Sequence, residues 1–260
     1  MSSRSVRAAV LTSTGPRHRY FRQVIAEKFD LRVALSQDKG NYYQMQREES
    51  DLVRNHFSDL AAAELVEFAT RLDPSLAALR EAPNINAPAL VAETLASGAE
   101  IVFLFGTAIL ADAWLNAFPN RIVNLHLGLS PFYRGSATLF WPFAQNELEC
   151  VGATVHLAVA KVDAGPILAR VKPDLQVGDT YYTITHRLIR QSIDALPDIA
   201  SRYLAGEVAP LPQVPTGERA WRKADFSEAS LRLALSNVGP GLTVEQIARI
   251  EGSQKCRCSQ

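Results

Sequence analysis

The chain has 260 residues, 47% of them hydrophobic and 21% charged, with 27 Lys and Arg against 27 Asp and Glu. This is ordinary globular composition, enough for a sizeable core, and it excludes a disordered or collagen-like chain. Residues 1–130 carry 13 basic and 14 acidic side chains and residues 131–260 carry 14 and 13, so neither half is a broad cationic surface for nucleic acid. No run approaches the roughly 20 apolar residues of a bilayer span, and Met1-Ser-Ser-Arg-Ser5 lacks the apolar stretch of a secretory signal. A soluble, cytoplasmic protein without membrane contact is expected. Cys150, Cys256 and Cys258 make neither an even disulfide framework nor paired zinc ligands, and no metal is expected.

In chain order, the apolar run Val6–Ser13 closed by Thr14-Gly15-Pro16 predicts a strand and turn, and the spacing of Phe21, Val24 and Ile25 predicts a helix over Tyr20–Phe29. Leu31–Leu35 reads as a second strand. Residues 37–79 exceed a simple crossover, and Glu48–Leu72 predicts one or two amphipathic helices with Leu52, His56, Leu60, Ala63 and Val66 facing inward. Ala89–Ala96 reads as a helix, and the almost wholly apolar Glu100–Phe105 as a strand covered on both faces. Ile122–Leu127 continues the βαβ rhythm of a parallel sheet, but polar residues interrupt its apolar pattern. Ala153–Ala160 and Ile167–Lys172 predict an antiparallel hairpin around Asp163–Pro166.

Thr180–Tyr203 predicts a long helix capped by Asp179 or Thr180, with Ile189, Ile193, Leu196, Ala200 and Tyr203 on one face and Pro197 inside it. Residues 206–217, with Pro210, Pro212 and Pro215, read as an extended linker at which the compact fold is expected to end. A short helix in Phe226–Leu235 and a helix opened by the capping box Thr243-Val-Glu-Gln246 follow. The expected fold is α/β, a Rossmann-like mostly parallel sheet over residues 1–205, with a small extension over 206–260.

The polar interruptions carry the chemistry. Asn124 and His126 stand two residues apart at the end of a strand, so their side chains leave on the same side, where ligands collect in open α/β sheets. Some 37 residues on, Asp163 offers a carboxylate in a Gly-Pro turn between apolar residues, an environment that raises a carboxyl pKa. The three groups could converge on one reacting centre.

The ordered set Asn124-Leu-His126, Ser130-Pro-Phe-Tyr-Arg-Gly135, Gly152-Ala-Thr-Val-His156 and Val162-Asp-Ala-Gly-Pro-Ile-Leu168 closely resembles the core of the N10-formyltetrahydrofolate-dependent formyltransferases. That family includes glycinamide ribonucleotide, methionyl-tRNA and nucleotide-sugar N-formyltransferases. The resemblance is strong over residues 100–170, extends in plan over 6–205 and is loose beyond, which makes 1–205 the expected catalytic domain. It implies that Asn124, His126 and Asp163 form the catalytic triad. Asn124 and His126 would stabilise the oxyanion formed when an amine attacks the formyl carbonyl, and Asp163 would accept the amine's proton and orient His126. Whether His126 or Asp163 is the immediate acid or base stays open at this point. By the same resemblance the donor, N10-formyltetrahydrofolate acting as co-substrate, lies against Phe105, Gly106, Thr107, Ala108, Ile109 and Leu110 and against Val159, Ala160, Lys161 and Val162. Plain core packing is the competing reading of Phe105, Ile109 and Leu110.

For the acceptor, Thr12-Ser-Thr-Gly-Pro-Arg-His-Arg19 has one glycine where glycinamide ribonucleotide enzymes carry a glycine-rich phosphate loop, and the last 55 residues hold no dense basic run for tRNA. A small nucleotide-linked amino sugar is the expected acceptor, its phosphate held by cations among Arg17, His18, Arg19, Tyr133, Arg134 and Gly135. The alternatives are another amine, such as a hydroxylated ornithine or methionyl-tRNA, and a non-catalytic folate- or nucleotide-binding module. A homodimer contact through Phe226–Leu235 or the 37–79 excursion is a further option.

Overall fold

The computed structural model describes residues 5–37, 50–69, 78–214 and 220–257, with side chains as far as 253. Parts of the 37–79 excursion, Pro215 and the Cys256 and Cys258 side chains therefore lie outside the described residues.

The first half alternates strand and helix. β1 (Arg7–Thr12), α1 (Pro16–Lys28), β2 (Asp30–Ser36), α2 (Asp51–Glu67), β3 (Leu79–Glu81), α3 (Pro88–Ala96), β4 (Ile101–Phe105), α4 (Asp112–Ala117) and β5 (Ile122–His126) follow in order. The short α5 (Trp141–Ala144), the hairpin β6 (Ala153–Leu157) and β7 (Ile167–Val171), and α6 (Tyr181–Leu204), α7 (Glu228–Val238) and α8 (Val244–Arg257) complete the chain. The strands form one sheet of order β3-β2-β1-β4-β5-β6-β7, parallel through β5 and antiparallel at β6 and β7. The α/β class and the hairpin stand as read from sequence. β3 and α4 are too short to leave a period in the sequence, and α1 begins four residues earlier than its apolar spacing indicates, because Pro16 supplies a ready first helical position.

Strand alternation divides the core. On one face Val10, Phe103, Val123 and Leu125 pack with Phe21 and Ile25 of α1 and with Ile189, Ile193, Leu196 and Ala200 of α6. On the other, Ala9, Leu11, Val102, Leu104 and Ile122 pack with Val91 and Trp114 in a smaller cluster. α6 starts at a reciprocal cap in which the Thr183 amide donates to Thr180 Oγ1 and the Thr180 amide to Thr183 Oγ1, and the buried Asp179 just before it holds Arg187 at 2.6 and 2.8 Å.

Two expectations are corrected. In α2 the buried residues are Val53, His56, Phe57 and Glu64, whereas Val66 is 80% exposed, because the helix turns a mixed polar face inward. The core also does not stop at Gly206: Leu231, Ala234, Val238, Leu242 and Ile250 are buried in the larger cluster, so the α7 and α8 region adds to that core. The Thr243 capping box forms as read, with the Gln246 amide on Thr243 Oγ1 and the Thr243 amide on Gln246 Oε1.

Candidate active site

On the face of β5 that carries the smaller core, the positions run Ile122, Asn124, His126. Apolar packing ends after Ile122, and the next two inward positions are an amide and an imidazole. β6 runs antiparallel beside β5 and sets His156 directly opposite Asn124 and Thr154 opposite His126. Directly opposed residues share a face, so four polar side chains gather where the small core runs out. Thr154 ties down the chain that follows β5: its hydroxyl donates to the Gly128 carbonyl and accepts from the Ser130 amide.

Asp163 completes the group from the loop after β6. Its Oδ1 lies 3.4 Å from His126 Nδ1 and 3.7 Å from His156 Nε2, and its Oδ2 accepts the Gly135 amide at 3.1 Å. The loop reaches this position through Gly165, where a Cβ would lie 1.7 Å from the Leu157 carbonyl oxygen, so no larger residue fits.

The partners fix the tautomers. His126 Nε2 faces the Tyr133 carbonyl at 2.9 Å and must carry a hydrogen, so in the neutral ring Nδ1 is a lone pair directed at Asp163. His156 Nδ1 donates to the Leu157 carbonyl, which leaves Nε2 to accept the Asn124 amide at 2.9 Å. Asn124 keeps its second N–H for a ligand. One ring lone pair, that of His126 Nδ1, thus faces the Asp163 carboxylate, and a single N–H or O–H placed between them would bridge the two.

Burial is the largest influence on both ionisable partners. It pushes His126 below the ordinary imidazole value, with Asp163 and the Tyr133 hydrogen bond pulling back. It pushes Asp163 up, as its apolar flanks suggest, but the neighbouring His126 and His156 rings and the Gly135 amide outweigh it, so the carboxyl lies below its usual range rather than above it. The pair is therefore an ionised carboxylate beside a neutral imidazole at neutral pH and titrates as one unit. Such a site can accept a proton from an attacking nucleophile and present an N–H to a developing oxyanion.

The other expected site residues distribute unevenly. Tyr133 is buried, its hydroxyl on Glu147, and meets the site through its carbonyl. Arg134 is half-buried and close enough to His126 to oppose its protonation, and its guanidinium makes no hydrogen bond or ion pair among the described residues. Arg17 is paired with the buried Glu64, which takes both its guanidinium and its amide at 3.2 Å. His18 is buried under Gly106, against Phe105 and Thr12, and Arg19 is exposed on α1. Pro16 lacks an N–H, and the His18 and Arg19 amides bond to the Gly15 carbonyl. Arg17, expected at a phosphate, is instead paired in this structure with Glu64, 47 residues away.

Phe105 is core, while Gly106 and Ile109 are exposed and Thr107, Ala108 and Leu110 half-buried, the last two against the small core beside Ala158. The Thr107 hydroxyl is buried without a partner. Val159, Ala160, Lys161 and Val162 form an exposed loop leading into Asp163. His156 is the functional candidate that carried no role in the sequence reading, although it stands inside the motif Gly152–His156. Its strand, Ala-Thr-Val-His-Leu, carries only Thr154 as another polar residue, and only the pairing with Asn124 gives His156 a role.

Residues 32–200 match the protein-family model described as formyl transferase, so the chain belongs to the formyltransferase family and is a group-transferring enzyme of that class. Among solved structures it is similar to a glycinamide ribonucleotide transformylase from Symbiobacterium toebii, 23% identical, with 80% of this chain and 94% of that one covered and a TM-score of 0.54. It is also similar to a sugar N-formyltransferase from a Shewanella species, 15% identical over 90% and 88% of the two chains, TM-score 0.60. A 4-N formyltransferase from Francisella tularensis aligns with a TM-score of 0.57 at 12% identity, over 89% and 87%. At these identities the likeness is one of fold. Among the described residues, no helix is long and apolar enough to cross a membrane.

Proposed function

We propose that the chain transfers the formyl group of N10-formyltetrahydrofolate to the primary amine of a small anionic acceptor, a nucleotide-linked amino sugar, with Asn124, His126 and Asp163 as the catalytic residues. The observation that carries this reading is the convergence of His126 Nδ1 and Asp163 Oδ1, 3.4 Å apart, on an Asn124 amide with a free N–H. The exposed Gly106 and Ile109 border the face proposed for the donor's pterin ring, with the exposed Val159–Val162 loop on its other side.

The amine nitrogen bonds to the formyl carbon, and the carbonyl electron pair moves onto oxygen. Asn124 donates its free N–H to that oxygen. The Asp163–His126 pair, deprotonated at neutral pH, takes the proton that the amine nitrogen must lose, directly or through a water, and the protonated His126 then adds a second donor. The same proton is returned to the folate nitrogen as the carbon–nitrogen bond to it breaks, leaving a formamide and tetrahydrofolate with no net proton exchanged. The Gly135 amide keeps the carboxylate aimed, and His156 holds Asn124 in place.

The acceptor assignment is supported by what the site offers an anion. The start of α1 is closed by Glu64, which disfavours a ribonucleotide phosphate seated there, whereas Arg134 stands at the cleft with an uncommitted guanidinium. The even balance of charge disfavours a polyanionic acceptor such as tRNA. The two similar enzymes of N-formylating type named above cover the chain more fully than the transformylase does. The test is tetrahydrofolate release from the formyl donor across a panel of nucleotide-linked amino sugars, with glycinamide ribonucleotide as comparison.

A further inference from the structure

We infer that Gln213, beyond the formyltransferase core, is a positioning residue for Asp163. Asp163 sits at φ 50°, in the left-handed region where a residue with a β-carbon is disfavoured, so neighbouring groups must hold it there. Its side chain accepts the Gly135 amide, but its backbone belongs to a loop whose preceding residues, Val159–Val162, are exposed.

The backbone restraint comes from the far end of the chain. Leu211 pairs with Ile167 through both amides, at 2.7 and 2.8 Å, and adds a short antiparallel bridge to the free edge of β7. That register brings Gln213, two residues on, alongside Gly165. Its Nε2 donates to the Gly165 carbonyl at 2.7 Å and to the Asp163 carbonyl at 2.9 Å. One side-chain amide thus ties both ends of the three-residue turn that presents the carboxylate.

The remaining atom of that amide argues in the same direction. Gln213 Oε1 is buried with no hydrogen-bond partner, a cost a hydrocarbon side chain would avoid. An amide kept in such a place is explained by its two N–H groups. Trp221 makes a second contact of the same kind on the facing loop: its amide donates to the Arg134 carbonyl, its carbonyl accepts the Ser136 amide, and its ring stacks on Trp141 at 4.2 Å. The segment past residue 206 therefore touches both loops that meet at the Gly135–Asp163 hydrogen bond.

The inference rests on the reading of Asp163 as the partner of His126, and one experiment separates the two. The full-length chain, 15N-labelled at histidine, is titrated by NMR as wild type, Asp163→Asn and Gln213→Met, the last keeping length and volume without donors. Removing the carboxylate charge lowers the His126 midpoint, since an anion beside the ring favours its protonated form. Gln213→Met is expected to lower it at least halfway to the Asp163→Asn value, with thermal unfolding still cooperative. A role in packing alone would leave the midpoint where it is. If Asp163→Asn moves His126 and Gln213→Met matches wild type, the positioning role is overturned; if Asp163→Asn leaves His126 unmoved, the pairing itself fails and the inference with it. Should Gln213→Met not fold, Gln213→Ser is read by the same two outcomes.

Discussion

At the scale of single residues, the site is a problem in placing one proton. The His126 Nδ1 lone pair and a carboxylate oxygen of Asp163 face each other, and burial sets the imidazole to accept a proton only below its ordinary range. Turnover should therefore be constant at neutral pH and fall as pH drops through the lowered midpoint of the pair, because the proton acceptor is then filled; a pH profile of kcat/KM reads this. Asp163→Asn should lower turnover by about 10²- to 10⁴-fold while circular dichroism and thermal unfolding stay near wild type. Asn124, His126 and Asp163 were legible in the sequence because polar residues break apolar strands and because their motifs match a known family. His156 was less so, since its part depends on which strand lies beside β5, and Arg17 was misleading because its partner, Glu64, arrives from α2.

At the scale of elements, capping and pairing decide where each piece sits. The parallel strands and the helix face of Ile189, Ile193 and Leu196 follow from periodicity, whereas the inward face of α2 does not, because buried His56 and Glu64 replace apolar residues at helical spacing. The start of α6 depends on Asp179. Burial opposes its charge, but Arg187, the Gln176 amide and the Thr183 hydroxyl hold its pKa below the usual carboxylate range. A depressed folded pKa contributes stability that is present above the unfolded carboxylate value and is lost as pH falls through the folded one. Asp179→Ala should accordingly cost about 1–3 kcal/mol at neutral pH, and much less in acid, in denaturant titrations.

For the molecule as a whole, the larger core is assembled from both ends of the sequence. Composition reads residues 206–217 as a linker but carries no information on where the chain goes next: Leu211 pairs with Ile167 of β7, and the helices beyond pack onto the larger core. Leu231, fully buried on the inner face of α7, should cost about 2–5 kcal/mol when changed to Ala, a loss read as a lowered midpoint in a single unfolding transition. Two separate transitions would mean that the terminal helices fold apart from the sheet. The same assembly brings the cleft, Arg134 and the polar end of the small core together, and formyl transfer to a small anionic amine is the use proposed for it. The most direct measurement is tetrahydrofolate release from N10-formyltetrahydrofolate with a panel of nucleotide-linked amino sugars, run with wild type and Asp163→Asn side by side. Turnover with at least one such sugar, lost in Asp163→Asn and absent with glycinamide ribonucleotide, is the expected result; turnover with none of the sugars, or turnover that Asp163→Asn leaves intact, would contradict it.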